Sequence, residues 1–183
     1  VNEYLDKIEG RVRKLDEFVR SMLSYAKVSR AEINTSEVLL DELITASVKE
    51  LEYLENFKKV KVTLKCKNKA KFRSDEMTLK LIFGNIISNA FKYYNLNVKS
   101  YLKVSVDVNA LRASIIFEDN GIGIQQEYLD KIFDMFFRAT EKSEGSGLGM
   151  YIVKQAVDKL NGKIDIKSEY GSGTTIKLII PNL

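Results

Sequence analysis

The sequence of 183 residues contains no histidine and only one cysteine. Without histidine, imidazole base catalysis, imidazole metal ligation and phosphorylation of a histidine are all excluded within this chain. The one cysteine, Cys66, has no partner for an internal disulfide, and it lies in an alternating, strand-like run where a small buried side chain is the expected role. This usage fits a reducing, cytoplasmic setting.

Long apolar runs and a strong net charge are also lacking. No run approaches the roughly 18 apolar residues that a membrane-spanning helix needs, so we expect no membrane segment in this chain. The 29 Lys and Arg only slightly exceed the 25 Asp and Glu. The positive residues form no stripe with interleaved aromatics, so nucleic acid is not an expected partner. Because the chain begins at Val1 with neither Met nor a signal-like segment, we expect a piece of a longer protein, whose membrane attachment stays open.

The first 30 residues carry an apolar repeat with alternating spacings of three and four. Its members are Leu5, Ile8, Val12, Leu15, Val19, Met22 and Ala26. This spacing is typical of the heptad seam of a coiled coil, and a lone helix cannot bury such a seam by itself. We therefore predict one long helix and a homodimer formed through residues 1–30. The alternative is an amphipathic helix lying on its own domain.

Beyond residue 36, helical and strand-like patterns alternate. We predict a helix capped by Asp41 and ending near Phe57, and a second helix capped by Asp75 and ending near Tyr94. Period-two alternation predicts strands at "VKVTLKC" and "KAKFRS", a hairpin of "YLKVSVDV" with "LRASIIFED", and a final hairpin in "GKIDIKSEYGSGTTIKLII". A short helix at 125–132 and a longer one at 147–160 complete the set. The expected fold class is α+β: a two-layer sandwich of a mixed, mostly antiparallel sheet with helices on one face, preceded by one long helix.

Seven of the ten glycines fall in three clusters. These clusters are Gly121 and Gly123, then Gly145, Gly147 and Gly149, then Gly171 and Gly173. Glycine lets a backbone approach a ligand closely, and a helix that begins directly after such a loop presents free N–H groups to an anion. Neither the Walker A pattern nor the dinucleotide fingerprint is matched. A single cluster also fits a tight turn, but the concentration favours a nucleotide site.

A narrow polar stripe follows the predicted helix "LKLIFGNIISNAFKYY". It consists of Asn85, Ser88, Asn89 and Lys92, at positions i, i+3, i+4 and i+7. One interpretation is an ordinary solvent-exposed face. However, asparagine is a poor helix former, so two asparagines inside a helix favour a functional role. A carboxamide oxygen suits Mg²⁺, and Lys92 could meet a phosphate.

These motifs in this order resemble a known family. The Asn-rich helix, "DNGIG", the Phe-rich segment, "GSGLGM" and "GSGTT" resemble the N, G1, F, G2 and G3 boxes of the catalytic ATP-binding domain of sensor histidine kinases, within the ATPase group that includes gyrase, Hsp90 and MutL. The resemblance covers roughly residues 36 to 181. It implies a Bergerat-type catalytic ATP-binding domain over 36–183. The helix ending in "LSYAKVSR" resembles the second helix of the dimerisation and phosphoacceptor hairpin, so 1–33 would be a partial dimerisation domain.

The resemblance also assigns residues to the base. Asp119 would accept a hydrogen bond from the adenine amino group, and Gly121 and Gly123 would let the strand end bend beneath the base. Ile124 would belong to the same pocket. Thr174 would lie near Asp119 and share a water with the base.

Further assignments concern the phosphates. Asn89 would hold Mg²⁺, and Lys92 and Tyr93 would contact the phosphate and the nucleoside. The phosphates would be wrapped by the loop that opens the following helix, through Gly145, Gly147, Leu148 and Gly149.

The segment from about Phe133 to Glu144 would form a lid over the nucleotide. Phe133, Phe136 and Phe137 would anchor this lid, with ordinary core filling as the alternative for one or two of them. Arg138 would neutralise charge on the γ-phosphate during transfer.

One position separates a kinase from a hydrolase. In the ATP-hydrolysing relatives, a Glu four residues before the metal-binding Asn activates water, and this chain has Asn85 there. A carboxamide is no general base near neutral pH. The implied function is a protein-histidine kinase that transfers the γ-phosphoryl of Mg-ATP to a histidine outside this chain, with weak hydrolysis at most. Met150 stands where the family commonly has Leu, a swap of similar volume.

The implied partners are the phosphoacceptor helix of the parent protein and, downstream, the receiver domain of a response regulator. Two other functions stay open. One is a non-catalytic regulatory module in which ATP only orders the lid. The other is a protein-serine kinase of the anti-sigma-factor type, which usually lacks a long heptad helix before these motifs.

Overall fold

Helices and strands alternate along the chain, as the sequence periodicities predict. The structure is a computed structural model and describes residues 2–30, 32–139 and 146–183. Its helices are α1 (Asn2–Arg30), α2 (Leu40–Lys49), α3 (Glu76–Lys92) and α4 (Gly149–Lys159), with 3-10 turns at Phe57–Lys59 and Gln126–Tyr128. Its strands are β1 (Thr35–Glu37), β2 (Val60–Asn68), β3 (Arg73–Asp75), β4 (Ser100–Val108), β5 (Arg112–Asp119), β6 (Lys163–Glu169) and β7 (Gly173–Pro181).

Five of these strands form one sheet in the order β2-β4-β5-β7-β6. Strand β2 runs parallel to β4, and the other neighbours pair antiparallel. The predicted hairpins are present as β4–β5 and β6–β7, while β1 and β3 form a separate two-stranded sheet. The prediction of a mixed, mostly antiparallel sheet in an α+β fold is confirmed.

The core lies between one face of this sheet and the helices. Every second residue of β4 is buried, and its inward positions Val104 and Val106 meet the apolar residues of the helices. Phe83 of α3 packs on Phe117 of β5, with ring centroids 5.7 Å apart. The apolar residues that recur every second position in the strands and every 3.6 positions in the helices therefore face each other and form one apolar layer. This layer fixes α3 and α4 above the sheet.

Asp75 caps α3, as predicted. Its Oδ1 accepts from the backbone N–H of Thr78 at 2.7 Å, and its Oδ2 accepts from that of Asn34 at 2.8 Å. Burial alone would raise the pKa of this carboxyl, but the hydrogen bonds from Thr78 and Asn34 and the charge of Lys159 outweigh burial and hold the pKa below its usual value. The side chain of Asp75 thus caps the N-terminus of α3 and links this helix by a hydrogen bond to the segment that precedes β1.

The helix predicted from Asp41 to about Phe57 was too long. Helix α2 ends at Lys49, and Asp41 lies inside its first turn rather than at the cap. Beyond Lys49 the apolar residues Leu51, Leu54 and Phe57 are three apart, and the backbone follows this spacing with bonds from Leu54 N to Leu51 O and from Phe57 N to Leu54 O, both 3.0 Å. A strict period of three suits 3-10 turns rather than an α-helix.

Two shorter predictions also differ from the structure. The strand expected over "KAKFRS" contracts to Arg73–Asp75. The helix expected at 125–132 is a 3-10 turn at Gln126–Tyr128 followed by further turns.

The long first helix is present as α1. Its seam side chains are exposed, from 62% at Leu15 to 36% at Met22, except for the half-buried Ala26. The same helix also contacts the rest of the chain, because Phe18 packs on Phe136 at 5.9 Å and Tyr25 on Tyr151 at 5.8 Å between ring centroids. Helix α1 thus lies partly on its own domain and still exposes its heptad seam. None of the helices in the described part of the chain is long and apolar enough to cross a bilayer.

Candidate nucleotide-binding site

A cavity of about 310 Å³ opens between α3, α4, the loop after β5 and the β6–β7 turn. It brings together most of the residues that the sequence predicted for a nucleotide site. These are Asn85, Asn89, Lys92, Tyr93, Asp119, Gly123, Ile124, Arg138, Gly147, Gly149 and Thr174.

Three other predicted residues do not line the cavity. The N–H of Gly121 donates to Asp119 Oδ1 at 2.8 Å, and a Cβ there would collide with the carbonyl oxygen of Tyr93. Leu148 is fully buried directly before α4, and Phe133 is half-buried outside the cavity lining. Gly121 therefore supports the pocket through Asp119 rather than lining it. The predicted Gly145 falls outside the described residues.

Asp119 is a half-buried acceptor at the end of β5. It stands opposite Thr174 in the β5–β7 ladder. Burial raises the pKa of its carboxyl; the backbone N–H groups of Gly121 and Thr174 oppose this shift, and the charge of Glu118 adds to it. Two backbone donors thus hold the carboxylate in place while it faces the cavity. Such a group can accept a hydrogen bond from an amino group of a ligand.

Two glycines allow the loop after β5, the end of β6 and the start of β7 to pack closely beneath this carboxylate. Gly173 has φ +126° and Gly123 has φ +67°. A Cβ at Gly173 would collide with the carbonyl of Asp119, and one at Gly123 would collide with that of Glu169. Gly123 therefore allows a close approach to the backbone of Glu169, and its predicted role beneath a base stays a prediction.

Ser168 connects these segments, and it was not among the residues predicted from the sequence. Its Oγ accepts from the N–H of Ile124, donates to the carbonyl of Gly173 and lies within hydrogen-bond distance of Thr174 Oγ1, each at 2.8 Å. A hydroxyl has one hydrogen, so all three bonds form only when Thr174 donates to Ser168. Thr174 then turns only its lone pairs toward the cavity. One feature of the sequence indicates Ser168. It is a polar residue on the same face of β6 as the inward-facing Ile164 and Ile166.

The opposite end of the cavity is suited to anions. Helix α4 begins at Gly149, where a Cβ would lie 3.0 Å from Asn85 Oδ1, so the two helices approach closely. The amide nitrogen of Asn85 donates to Leu81 O at 2.8 Å, which turns the carboxamide oxygen toward α4. Free N–H groups at the start of α4 and the exposed cation of Lys92 favour phosphate.

The donor set of the cavity suits one hard cation shared with a ligand. Across residues 2–30, 32–139 and 146–183, no three His, Cys, Asp or Glu side chains come together as a metal cluster. Asn89 offers a neutral carboxamide oxygen in the cavity. Mg²⁺ commonly takes one or two protein oxygens and completes its shell with phosphates and water. The residues present therefore fit Mg²⁺ brought in with a nucleotide.

The beginning of the predicted lid borders the cavity. Phe137 packs on Tyr128 with ring centroids 5.7 Å apart, and Arg138 lines the cavity beside it. Phe136 is 52% exposed, has φ +67° and contacts Phe18 of α1. A bulky residue in the left-handed region is unfavourable unless its surroundings hold it there. The remainder of the predicted lid, 140–144, falls outside the described residues.

The apolar wall of the cavity was also missed from sequence. It is formed by Ile86, Ile122, Met150, Ile166, Tyr170 and Ile176. These residues come from two helices, two strands and two loops, so no local pattern links them. Their composition offers an apolar slot of the kind that holds a planar base.

The sequence profile described as histidine kinase-, DNA gyrase B-, and HSP90-like ATPase matches residues 74–183 of this chain. That is more than half of its length. The chain belongs to this ATPase family. The predicted resemblance is confirmed, and most of the residues predicted for the nucleotide site line one cavity.

Similar proteins are sensor histidine kinases. The chain is 27% identical over 177 residues to the methanogenesis regulatory histidine kinase FilI of Methanothrix harundinacea, covering 97% of this chain and 20% of that protein. It is 40% identical over 114 residues to the sensor protein kinase WalK of Staphylococcus aureus, covering 60% of this chain and 27% of that protein. The chain thus spans about a fifth to a quarter of these relatives.

Solved structures agree on the fold. Full-length ShkA in complex with AMPPNP superposes with a TM-score of 0.77 at 19% identity, covering 98% of this chain and 38% of that one.

Proposed function

We propose that this chain is the catalytic ATP-binding part of a sensor histidine kinase. It would bind Mg-ATP and transfer the γ-phosphoryl group to a histidine outside the chain, which itself contains none. The observation that carries the proposal is Asn85, whose amide nitrogen is bound to Leu81 O and whose oxygen is directed at α4. At this position a carboxamide accepts a hydrogen bond but cannot take a proton from water.

The base would lie at the Asp119 end of the cavity. The carboxylate would accept from the adenine amino group, and the isoleucines and Met150 of the cavity wall would cover the faces of the ring. Gly121, Gly123 and Ile124 would support the base from the loop after β5. Thr174 would reach the ring through a shared water.

The phosphates would lie between α3 and α4. Asn89 would hold Mg²⁺, which supplies charge neutralisation when bound. Lys92 and Tyr93 would contact the phosphates and the nucleoside, and Gly147 and Gly149 would bring backbone N–H groups to the phosphate oxygens. Arg138, at the start of the lid, would stabilise charge on the transferring group.

The wider assembly belongs to the same proposal. Residues 1–33 would be part of a dimerisation hairpin, with the exposed seam of α1 forming a homodimer, and 36–183 would be the catalytic domain. The phosphoacceptor helix would come from the parent protein, the receiver domain of a response regulator would act downstream, and the chain would work in the cytoplasm.

The test measures acceptor phosphorylation and phosphate release side by side. The dimerisation hairpin of the parent protein is supplied in trans with labelled ATP, and Arg138→Ala and Asn85→Glu are compared with wild type. Arg138→Ala should slow transfer more than it weakens ATP binding, because its contact strengthens in the transition state. Asn85→Glu should raise phosphate release. Arg112→Ala, on the open face of the sheet, is the matched control and should change neither rate.

Three results would contradict the proposal. The first is transfer at the wild-type rate by Arg138→Ala, and the second is rapid phosphate release by wild type without an acceptor. The third is ATP binding with no transfer to the hairpin, which would favour a non-catalytic nucleotide-binding module.

A further inference from the structure

The positive charge of this chain is concentrated in one segment. Between Glu55 and Asp75 there are seven lysines and one arginine and no acidic residue. The rest of the chain holds 21 Lys and Arg against 25 Asp and Glu, so the net charge of +4 comes from this segment alone. This run of cations is continuous in the sequence, and the fold places three of its lysines on the open face of one strand.

This segment contains β2, which is an edge strand. All nine residues of β2 pair with β4, from Val60 with Ser100 to Asn68 with Val108. No other strand in the described part of the chain pairs with its outer edge. Such an edge presents a row of backbone N–H and C=O groups that can pair with another strand.

The two faces of β2 differ in chemistry. Lys61, Lys65 and Lys67 are exposed on the open face of the sheet, and none of them forms an ion pair within residues 2–30, 32–139 and 146–183. On the other face, the half-buried Leu64 and Cys66 line an open cleft of about 540 Å³ against α2. Asp41, Glu42 and Lys49 of α2 line the far side of this cleft. Along β2 itself, lysines on the open face therefore alternate with apolar side chains on the other face.

We infer that the free edge of β2 is a docking site for an extended, acidic segment of a partner protein. The segment would add a strand to the sheet, with backbone bonds supplying affinity. Its acidic residues would lie beside Lys61, Lys65 and Lys67, and the small apolar residues between them would face Leu64 and Cys66. The same lysines repel a second copy of β2, so the charge both prevents self-pairing and selects the partner.

A narrow partner fits this edge better than a broad anionic surface. Away from β2 the open face carries charges of both signs: Asp107 stands beside Lys67 in the ladder, Glu118 is ion-paired with Lys103 at 3.0 Å, and Asp165 stands opposite Lys177. A membrane or a nucleic-acid duplex lying on the sheet would meet these acids too. Strand β2 also has no aromatic side chain on which the bases of a single strand could stack.

The test uses defined peptides with the full chain. The probe is a labelled nine-residue peptide of alternating Glu and Val, and its control has the same composition arranged as a block of Glu followed by a block of Val. We expect the alternating peptide to bind more tightly and to slow the alkylation of Cys66, the only thiol, by N-ethylmaleimide. The triple variant Lys61→Glu, Lys65→Glu and Lys67→Glu should weaken binding about tenfold.

A matched variant keeps the test independent of folding and of net charge. Lys163→Glu, Lys167→Glu and Lys177→Glu reverse three exposed lysines near the other edge and should change peptide affinity at most about twofold. Both triple variants should bind ATP as wild type does, which separates this inference from the proposed function. Equal affinity for the two peptides, or no binding of either, would overturn the inference. Binding of phosphatidylglycerol vesicles or of oligothymidine that the β2 variant alone loses, without peptide binding, would assign the surface to that ligand instead.

Discussion

At one end of the cavity, Asp119 and Thr174 offer a ligand hydrogen-bond acceptors. Asp119 contributes a carboxylate held by the N–H groups of Gly121 and Thr174. Thr174 contributes lone pairs, because its hydrogen is directed at Ser168. A purine with a 6-amino group fits this arrangement, whereas a 6-oxo purine places an acceptor against acceptors. We therefore expect Ser168 to act on the base through Thr174 and its shared water, as a positioning residue.

Replacing Ser168 should relax selectivity rather than only weaken binding. In Ser168→Ala, Thr174 loses its internal acceptor and can donate its hydrogen to the shared water, which can then donate to a 6-oxo group. We expect the ratio of ATP to ITP affinity to fall about three- to tenfold, which corresponds to one neutral hydrogen bond. Calorimetric titration measures both affinities.

Two controls accompany this titration. Ser114→Ala, on the open face of the sheet, should leave the ratio unchanged. In a Thr174→Val background, Ser168→Ala should have no further effect on the ratio. An unchanged ratio in Ser168→Ala itself would show that the serine only supports the turn.

Nucleotide affinity should also depend on pH through Asp119. Burial raises the pKa of this carboxyl above the usual value of about 3.9. Since the base binds the ionised form, affinity should be lost as pH falls through this raised pKa, and the loss should begin at a higher pH than for an ordinary aspartate. Titrations at a series of pH values on wild type and Asp119→Ala measure the effect. A parallel decline in Asp119→Ala would assign it to another group.

The residues of the site differ in how far sequence could find them. Asp119, Asn89 and the glycines stand in local motifs, so the resemblance could assign them. Ser168 and Ile166 act through contacts between strands that are distant in the chain, and their positions become visible only when the register of β6 with β7 is known.

At the scale of elements, the cap of α3 fixes the position of the polar stripe. Asp75 accepts from both Thr78 and Asn34 while it is only 6% exposed. Asp75→Ala removes the cap and leaves both N–H groups without this acceptor. The free energy of unfolding should fall by about 1–2 kcal/mol. Urea unfolding measures the loss, and Asp158→Ala, which removes an exposed ion pair with Lys154, should change stability by less than about 0.5 kcal/mol.

The same cap predicts a pH dependence of stability. Because the folded pKa of Asp75 is depressed, its contribution is fully present above the unfolded pKa of about 3.9 and is lost as pH falls through the folded value. The stability difference between wild type and Asp75→Ala should therefore shrink in acid. A constant difference down to the lowest pH would contradict this assignment.

Among the elements, α3 and the hairpins were predicted correctly and α2 was not. The cap of α3 and the period-two runs of the hairpins are local signals that agree with the tertiary packing. The residues after Lys49 are good helix formers, but the packing of Phe57 on Phe91, with ring centroids 5.6 Å apart, favours the 3-10 turns. Tertiary contacts outweighed local propensity there.

At the scale of the whole molecule, opposite ends of one sheet carry different tasks. The carboxyl end of β5 and the β6–β7 turn border the proposed ATP pocket, while the edge strand β2 carries exposed lysines. Composition could not show that these lysines lie along a sheet edge, because the position of β2 in the sheet depends on the strand order. Helix α1 contacts the start of the lid through Phe18 and Phe136, which links the predicted dimerisation helix to the pocket.

The central claim is an adenine-selective ATP pocket built on Asp119. The most direct test is calorimetric titration of the chain with ATP and GTP in the presence of Mg²⁺, on wild type, Asp119→Ala and the exposed control Asp107→Ala. Loss of a charge-assisted hydrogen bond of about 1.5–3 kcal/mol should weaken ATP binding tenfold or more in Asp119→Ala, with Asp107→Ala unchanged. Wild type should bind ATP well and GTP weakly. Comparable affinity of wild type for GTP, or full ATP affinity in Asp119→Ala, would contradict the account.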